Sequence, residues 1–219
     1  MTKKISYSHI ASRRDGLETR AQIIECAGRL IAAQGFAQTT SKSICQAAQV
    51  NMAAVNYHFG SRDGLYMAVL QEVHDHLLTL GELQSLYGSR QKPEQKIAAF
   101  LRLYVENALK QNNWYIEVWT RELLAPSPVF MKIFHSNLPK FKMALQLFAQ
   151  YLELPESDLR LHSCIFGTMA PFMLLYLQRR SPILQHLPAS FDRESFLDAL
   201  QDYALTNLAQ YKAKLRNHE

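Results

Sequence analysis

The side chains best able to do chemistry lie between positions 40 and 62. Thr40, Ser41 and Lys42 open a short predicted helix, and their hydroxyls, ammonium group and free backbone N–H groups can all bind phosphate. Arg62, at the other end of the segment, can bind a second phosphate. Several phosphate donors within one short segment favour binding to a nucleic-acid backbone.

A second short helix between these residues carries side chains suited to base edges in a major groove. Val55 is expected to face the core. The side chains left for the groove are Met52, Ala54, Asn56 and Tyr57. Methionine and alanine can contact thymine methyl groups, and either Asn56 or the preceding Asn51 can pair with adenine. Because this helix has no arginine for the bidentate guanine contact, we expect a half-site that favours A·T pairs at its centre.

Three predicted helices position these groups. The first begins near Leu17 and ends at Gly35, and two short helices follow on either side of a turn at residues 49–51. Short helices joined by such a turn and packed on a longer helix form a helix-turn-helix. Further helical patterns occupy residues 62–87, 93–112, 114–124, 129–152, 156–180 and 190–216, with a bend expected at Pro139. No strand pattern is found, so the predicted fold is all-α.

The predicted domains follow the distribution of charge. Residues 1–62 hold eight basic and three acidic side chains, whereas residues 63–219 hold 16 of each. The formal excess of +5 therefore lies on the segment that contains the helix-turn-helix. Positive charge there would attract the negatively charged phosphates of DNA. We predict a flexible basic arm at 1–16 that can reach a minor groove, and a three-helix DNA-binding domain at 17–62. A larger helical bundle for ligand binding and dimerisation follows at 63–219.

The remaining composition argues against several other kinds of site. The three cysteines are far apart, and His74 and His76 point about 200° apart on a helix, so we expect no metal site. No catalytic or nucleotide-binding motif occurs, and we expect neither an enzyme nor a cofactor. Without a signal-peptide pattern or an apolar run of about 20 residues, the chain is predicted to be soluble and cytoplasmic.

Residues 19–70 resemble the N-terminal domain of the TetR family of transcriptional regulators. The matching stretches are residues 19–24, 35–40, 44–48 and 55–66. The resemblance implies an all-α homodimer whose C-terminal domain senses a small molecule. By position it implies DNA contacts from Thr40, Lys42, Tyr57, His58 and Arg62. Many members have tyrosine at the position of Asn56, so the phosphate contact of that tyrosine does not carry over. The segment at 120–128, Thr-Arg-Glu-Leu-Leu-Ala-Pro-Ser-Pro, resembles a stretch of the CecR/YbiH-like branch of the family.

Two further sets of residues are predicted to serve the C-terminal half. Candidates for a ligand cavity are Phe100, Tyr104, Trp119, Phe134, His162 and Phe166, each of which could instead belong to the core. Apolar stripes on the last two helices predict a four-helix dimer interface made by Leu161, Ile165, Met169, Phe172, Tyr176, Phe196, Leu200 and Tyr203. The alternative is that these stripes are buried within their own domain.

Together these patterns predict a transcriptional repressor. It would bind a palindromic operator in double-stranded DNA as a homodimer and be released by a small, partly apolar effector, with no membrane involved. The effector would move the helix at 63–87, which joins the two domains. The alternatives are a DNA-binding architectural factor without a ligand, and a helical enzyme or carrier domain.

Overall fold

The computed structural model describes residues 7–109, 114–177 and 193–217 of the 219-residue chain. These ranges contain α1 (Tyr7–Gln34), α2 (Ser41–Ala47), α3 (Met52–Phe59), α4 (Arg62–Leu77), α5 (Leu80–Gly88), α6 (Pro93–Leu109), α7 (Trp114–Leu124), α8 (Phe130–Ser136), α9 (Leu138–Leu152), α10 (Leu159–Leu177) and α11 (Arg193–Arg216). No strand occurs in the described ranges, and the predicted all-α fold is confirmed.

The contacts divide the chain into two compact units. The N-terminal unit comprises Met1–Val73 together with Trp114–Ile133, and the C-terminal unit comprises His74–Asn113 and Phe134–Glu219. Helices α4 and α8 each contribute residues to both units. Helix α7, which sequence reasoning grouped with the C-terminal bundle, thus packs within the N-terminal unit. The predicted functional boundary after residue 62 stays a prediction.

The N-terminal unit is built on an apolar stripe of α1. Ile23, Ala27 and Ile31 recur at helical spacing and are at most 2% exposed. Gly35 follows the helix with a φ of 84°, a left-handed conformation that glycine adopts without a steric penalty. Its N–H donates to the Ile31 carbonyl at 2.8 Å, which closes the last turn of the helix.

Helix α1 begins at Tyr7, well before the predicted start near Leu17. Residues 7–16, predicted as part of a flexible arm, are therefore helical. Residues 7–16 contain no proline, and their one glycine, Gly16, costs a helix only about 1 kcal/mol. The Thr19 hydroxyl also donates to the Asp15 carbonyl at 2.8 Å, within the same turn. Residues 1–6 of the predicted arm lie outside the described residues.

The C-terminal unit is a bundle in which α9 packs against α5, α6 and α10, and α11 packs against α6 and α10. Its most completely buried side chains are Leu83, Ile97, Leu101, Leu147, Phe148, Leu161, Phe172 and Leu208. Each such side chain contributes about 1.5–3 kcal/mol when it leaves water. The bundle core therefore comes from every one of these five helices.

Two helices that the sequence predicted as continuous are each divided. The pattern at 62–87 forms α4 and α5, because Thr79 caps the second helix: its hydroxyl accepts from the Glu82 N–H at 3.1 Å while the Glu82 carboxylate accepts from the Thr79 N–H at 2.7 Å. The pattern at 129–152 forms α8 and α9. Pro139, where a bend was expected, lies in the first turn of α9, a position that tolerates proline.

His74 is a titratable side chain buried in the C-terminal unit, with 7% of its surface exposed. Its ring packs edge-on against Phe141, and the Lys140 ammonium forms an ion pair with Asp75 at 2.5 Å close by. Burial, reinforced by the positive charge of Lys140 and opposed by Asp75, lowers the pKa of His74 from 6.5 to about 4. The folded chain therefore holds this imidazole neutral at physiological pH.

We expect this burial to make the fold sensitive to mild acid. The unfolded chain takes up the His74 proton near pH 6.5, whereas the folded chain takes it up only near pH 4. The stabilisation is therefore present above pH 6.5 and should be lost as the pH falls towards 4, by about 2–3 kcal/mol in the free energy of unfolding. Urea denaturation across pH 7 to 4 should show this loss in the unaltered chain and a smaller loss in His74→Leu. An exposed-site control, His135→Gln, should behave like the unaltered chain, and identical profiles for all three would contradict the prediction.

Candidate nucleic-acid interface

Thr40 begins the first short helix of the turn as its N-cap. With φ −93° and ψ 153°, its hydroxyl accepts from the Ser43 N–H at 3.0 Å, and the Ser43 hydroxyl accepts from the Thr40 N–H at 3.1 Å. This reciprocal pair fixes the start of α2. The next two predicted phosphate donors differ in exposure, because Ser41 is half-buried and Lys42 is exposed.

The turn between α2 and α3 is tight and closed by main-chain hydrogen bonds. Gln49 has a φ of 52°, and the Val50 N–H donates to the Cys45 carbonyl at 3.0 Å. Asn51 then caps α3: its side-chain oxygen accepts from the Ala54 N–H at 2.9 Å. Ala48 and Val55 are at most 2% exposed, so the two short helices meet through small and medium apolar side chains.

Helix α3 turns its predicted groove residues towards solvent. Tyr57 is 85% exposed and Met52 is 43% exposed, and Asn56 is exposed as well. Ala54 and His58 are half-buried at the edges of this face. These positions are open to a duplex, and their assignment as DNA contacts stays a prediction.

The guanidinium of Arg62 already has partners within the chain. It donates to the carbonyls of Phe36 and, at 3.3 Å, of Ala37, and it lies 4.3 Å from the centroid of the Phe36 ring. Arg62 thus ties the loop before α2 to the start of α4. A phosphate would have to use the remaining N–H groups of this side chain.

Helix α7 is a further part of the N-terminal unit that sequence reasoning missed. The Trp114 indole N–H donates to the Glu25 carboxylate at 2.7 Å, and the indole covers Gly28, where a Cβ atom would lie 2.5 Å from the ring. At the other end of α7, the Arg121 guanidinium donates to the carbonyl of Ala32 at 3.1 and 3.2 Å. The resemblance at residues 120–128 was a signal in the sequence that this segment had a role.

The predicted ligand residues are divided between the two units. Trp119 is buried in the N-terminal unit, whereas Phe100 and Tyr104 are buried in the C-terminal unit, where Phe100 packs edge-on against Phe148 at 5.8 Å. The ring centroids of Phe134 and Phe141 lie 4.7 Å apart. A His162 ring nitrogen lies 2.8 Å from the Glu156 carbonyl oxygen, and Phe166 is 74% exposed. His162 and Phe166 therefore lie on the surface, whereas the other four predicted residues lie in or near the cores.

A groove with a volume of about 420 Å³ lies between α10 and α11. Its lining consists of Ser163, Cys164, Gly167, Thr168, Pro171, Leu200, Tyr203, Ala204, Asn207, Leu208 and Tyr211. None of the six predicted ligand residues is among them. The lining does include Leu200 and Tyr203, which we predicted at a dimer interface.

The structure separates the predicted dimer residues by burial. Leu161 and Phe172 are at most 1% exposed within their own chain, so no surface remains for a partner, and we reassign both to the core. Ile165, Met169 and Leu200 are half-buried, whereas Phe196 and Tyr203 are 39% and 65% exposed. The side chain of Tyr176 lies outside the described residues.

We expect the two candidate adenine-binding residues to differ when they are replaced. Asn51→Ala should lower the free energy of unfolding by about 1 kcal/mol because α3 loses its N-cap. Asn56→Ala should leave stability unchanged and relax the preference for adenine at one position of a bound half-site. Thermal denaturation and selection from random duplexes measure the two effects. An unchanged preference in Asn56→Ala, or an unchanged stability in Asn51→Ala, would contradict the corresponding assignment.

Comparison with known proteins identifies the family. The model described as bacterial regulatory proteins, tetR family, matches residues 23–69, and the model of the C-terminal domain of the HTH-type transcriptional dual regulator CecR matches residues 93–210, more than half of the chain. The chain belongs to the TetR family of transcriptional regulators. Both resemblances seen in the sequence are thereby confirmed, and the α2–α3 segment is a DNA-binding helix-turn-helix.

Individual relatives agree with this family. The regulator TtgR of Pseudomonas putida is 39% identical over 74 residues, which span 32% of this chain and 35% of TtgR, so the match covers about a third of that relative. The probable regulator YttP of Bacillus subtilis is 26% identical over 184 residues, 76% of this chain and 86% of YttP. Both are named as HTH-type transcriptional regulators, YttP as a probable one.

Solved structures share the fold. The fatty acid degradation regulator FadR of Bacillus halodurans has a TM-score of 0.66 at 16% identity, covering 85% of this chain and 94% of FadR. A TetR-like regulator from Rhodococcus has a TM-score of 0.63 at 16% identity, covering 87% and 96%. In the part of this chain that the structure describes, every helix is too short or too polar to cross a membrane.

Proposed function

We propose that this regulator is a cytoplasmic homodimeric repressor that binds a palindromic operator and leaves it when a small molecule binds. The observation that supports the DNA contacts best is the orientation of α3. Val55 is 2% exposed whereas Tyr57, two residues later, is 85% exposed, so the helix buries one face and presents the other. Thr40, Lys42 and the remaining N–H groups of Arg62 would hold phosphates on either side of the groove.

The groove between α10 and α11 supports the homodimer. Gly167, Thr168 and Ala204 line it with small side chains, and a Cβ atom at Gly167 would meet no other atom within 4 Å. Tyr203, part of this lining, is exposed, and so is Phe166, the residue before Gly167. A second copy could place such a ring in the groove and so pair the two helices in a four-helix interface. Two linked helix-turn-helix segments would then bind two half-sites about one helical turn or more apart.

The position of α4, which contributes residues to both compact units, supports release by an effector. An effector shifts DNA affinity only if it binds one state of the protein more tightly than the other. A partly apolar effector suits the aromatic C-terminal unit. The relative FadR is named as a regulator of fatty acid degradation, which agrees with an effector of that character.

The decisive experiment selects duplexes from fragmented genomic DNA with the full-length protein, with and without candidate effectors. We expect enrichment of a palindromic site whose affinity falls steeply with salt, because about 6–10 phosphate contacts release counterions. Tyr57→Ala should lose this enrichment while its thermal stability is unchanged. An affinity independent of salt would overturn the proposed phosphate contacts, and failure to enrich any duplex would overturn the proposed function. Failure of every effector to release the DNA would favour an architectural factor.

A further inference from the structure

The segment at residues 120–128 contains a buried carboxylate with three hydrogen-bond donors. Glu122 is 3% exposed, and it accepts from the Tyr66 hydroxyl at 2.5 Å and from the Ser127 N–H and hydroxyl at 3.0 Å each. Burial, together with the neighbouring carboxylate, raises the pKa of Tyr66, so this phenol stays protonated and remains a donor. A charge buried in this way is stable only while its donors stay in place.

Tyr66 connects this carboxylate to the helix-turn-helix. Its ring stacks on Phe36 with centroids 4.0 Å apart and planes within 8°. Phe36 lies in the loop between α1 and α2, and the Arg62 guanidinium holds both the ring and the carbonyls of that loop. This loop leads into the N-cap of α2, and Arg62, the first residue of α4, comes after the two residues that follow α3. The contacts of Glu122 thus extend to both ends of the α2–α3 pair.

Arg121 makes a second connection, to the end of α1. Its guanidinium donates to the Ala32 carbonyl at 3.1 and 3.2 Å and to the Ala33 carbonyl at 3.3 Å. The last carbonyls of a helix lack partners within the helix and carry its partial negative charge. A cation from α7 therefore holds the point at which α1 turns towards α2.

We propose that Arg121 and Glu122 are positioning residues for DNA binding, which hold α1 and α4 so that α2 and α3 reach the duplex together. Neither residue touches DNA in this arrangement, since both act through Ala32, Tyr66 and Phe36. Both lie within the part of the chain that matches the CecR C-terminal model, so a segment of that domain completes the DNA-binding unit. The inference rests on DNA binding by α2 and α3, and on neither the effector nor the dimer.

The test measures the affinity of four full-length variants for a duplex that the unaltered protein enriches from a random-sequence pool. Arg121→Ala and Glu122→Gln should each bind about tenfold more weakly, because α2 and α3 then no longer meet the duplex in register and some phosphate contacts are lost. The slope of affinity against salt should also become shallower, as phosphate contacts are lost. Arg121→Lys, which keeps one donor for Ala32, should restore part of the affinity.

Asn107→Ala is the matched control. Its amide donates to the Leu77 carbonyl at 3.0 Å, so this variant also removes a buried polar contact to a helix end, but within the C-terminal unit. It should lower the thermal midpoint and leave DNA affinity per folded molecule unchanged.

The outcomes separate positioning from general stability. If Arg121→Ala binds DNA as well as the unaltered protein, or if Asn107→Ala loses as much affinity per folded molecule, the positioning role is overturned. If Glu122→Gln does not fold, Arg121→Ala and Arg121→Lys decide the test alone. The Arg121 side chain is exposed, so its removal leaves no unpaired charge in the core. If the unaltered protein enriches no duplex at all, the proposed function fails together with this inference.

Discussion

Gly28→Leu is expected to lower the free energy of unfolding by about 3 kcal/mol or more, although leucine is the better helix former by almost 1 kcal/mol. The reason is that a Cβ atom at this position would lie 2.5–2.6 Å from three atoms of the Trp114 ring. That ring is 5% exposed and donates a hydrogen bond to Glu25. It therefore cannot move aside without exposing apolar surface and losing that hydrogen bond. Urea denaturation followed by circular dichroism measures the loss.

The control uses the same substitution in the same helix. Gly16 has no other atom within 4 Å of its Cβ position, so Gly16→Leu should be neutral or stabilising. Adding Trp114→Ala to Gly28→Leu should cost less than the sum of the two single changes, because the indole no longer opposes the new side chain. A Gly28→Leu variant as stable as the unaltered chain would contradict the packing of α7 on α1.

Phe166→Glu is expected to make the protein monomeric and to weaken operator binding by about 100-fold or more, the advantage that linkage of two sites provides. The ring is 74% exposed within one chain, and the next residue, Gly167, lines the groove between α10 and α11. A carboxylate there would have to be buried without a partner in the proposed interface. Sedimentation gives the oligomeric state, and a duplex titration gives the affinity.

Met131→Glu is the matched control, since it adds the same charge to another exposed apolar position, 53% exposed, on α8. We expect it to remain dimeric and to bind DNA normally. A dimeric Phe166→Glu variant would show that the interface lies elsewhere on the chain.

The sequence predicted the helix-turn-helix because its determinants are local. Hydroxyl and amide caps such as Thr40 and Asn51 act on N–H groups three residues away, and a short apolar spacing decides which face of α3 is buried. The exposure of Tyr57 follows from the burial of Val55, two residues earlier. These relations need no knowledge of the rest of the chain.

Contacts between distant positions could not be read in the same way. Arg62 binds carbonyls more than 20 residues earlier, and Arg121 binds carbonyls of α1 almost 90 residues earlier. Helix α10 has apolar residues on most of its faces, so spacing alone could not separate the buried Leu161 from the exposed Phe166. The division between α4 and α5, in contrast, has a local capping signal, Thr79 with Glu82, within a pattern that otherwise reads as one helix.

The packing of α7 on α1 has a consequence for chimeric regulators. A recombinant that joins the DNA-binding head of one family member to the sensor of another at residue 62 would inherit Trp114 and Arg121 from the sensor parent. Those side chains need Gly28 and the Ala32 carbonyl of the head parent. Exchange between family members is therefore expected to succeed when residues 114–133 come from the same parent as the DNA-binding domain. It should also succeed when α7 of the other parent carries side chains that pack equally well against α1 of the parent that supplies the DNA-binding domain.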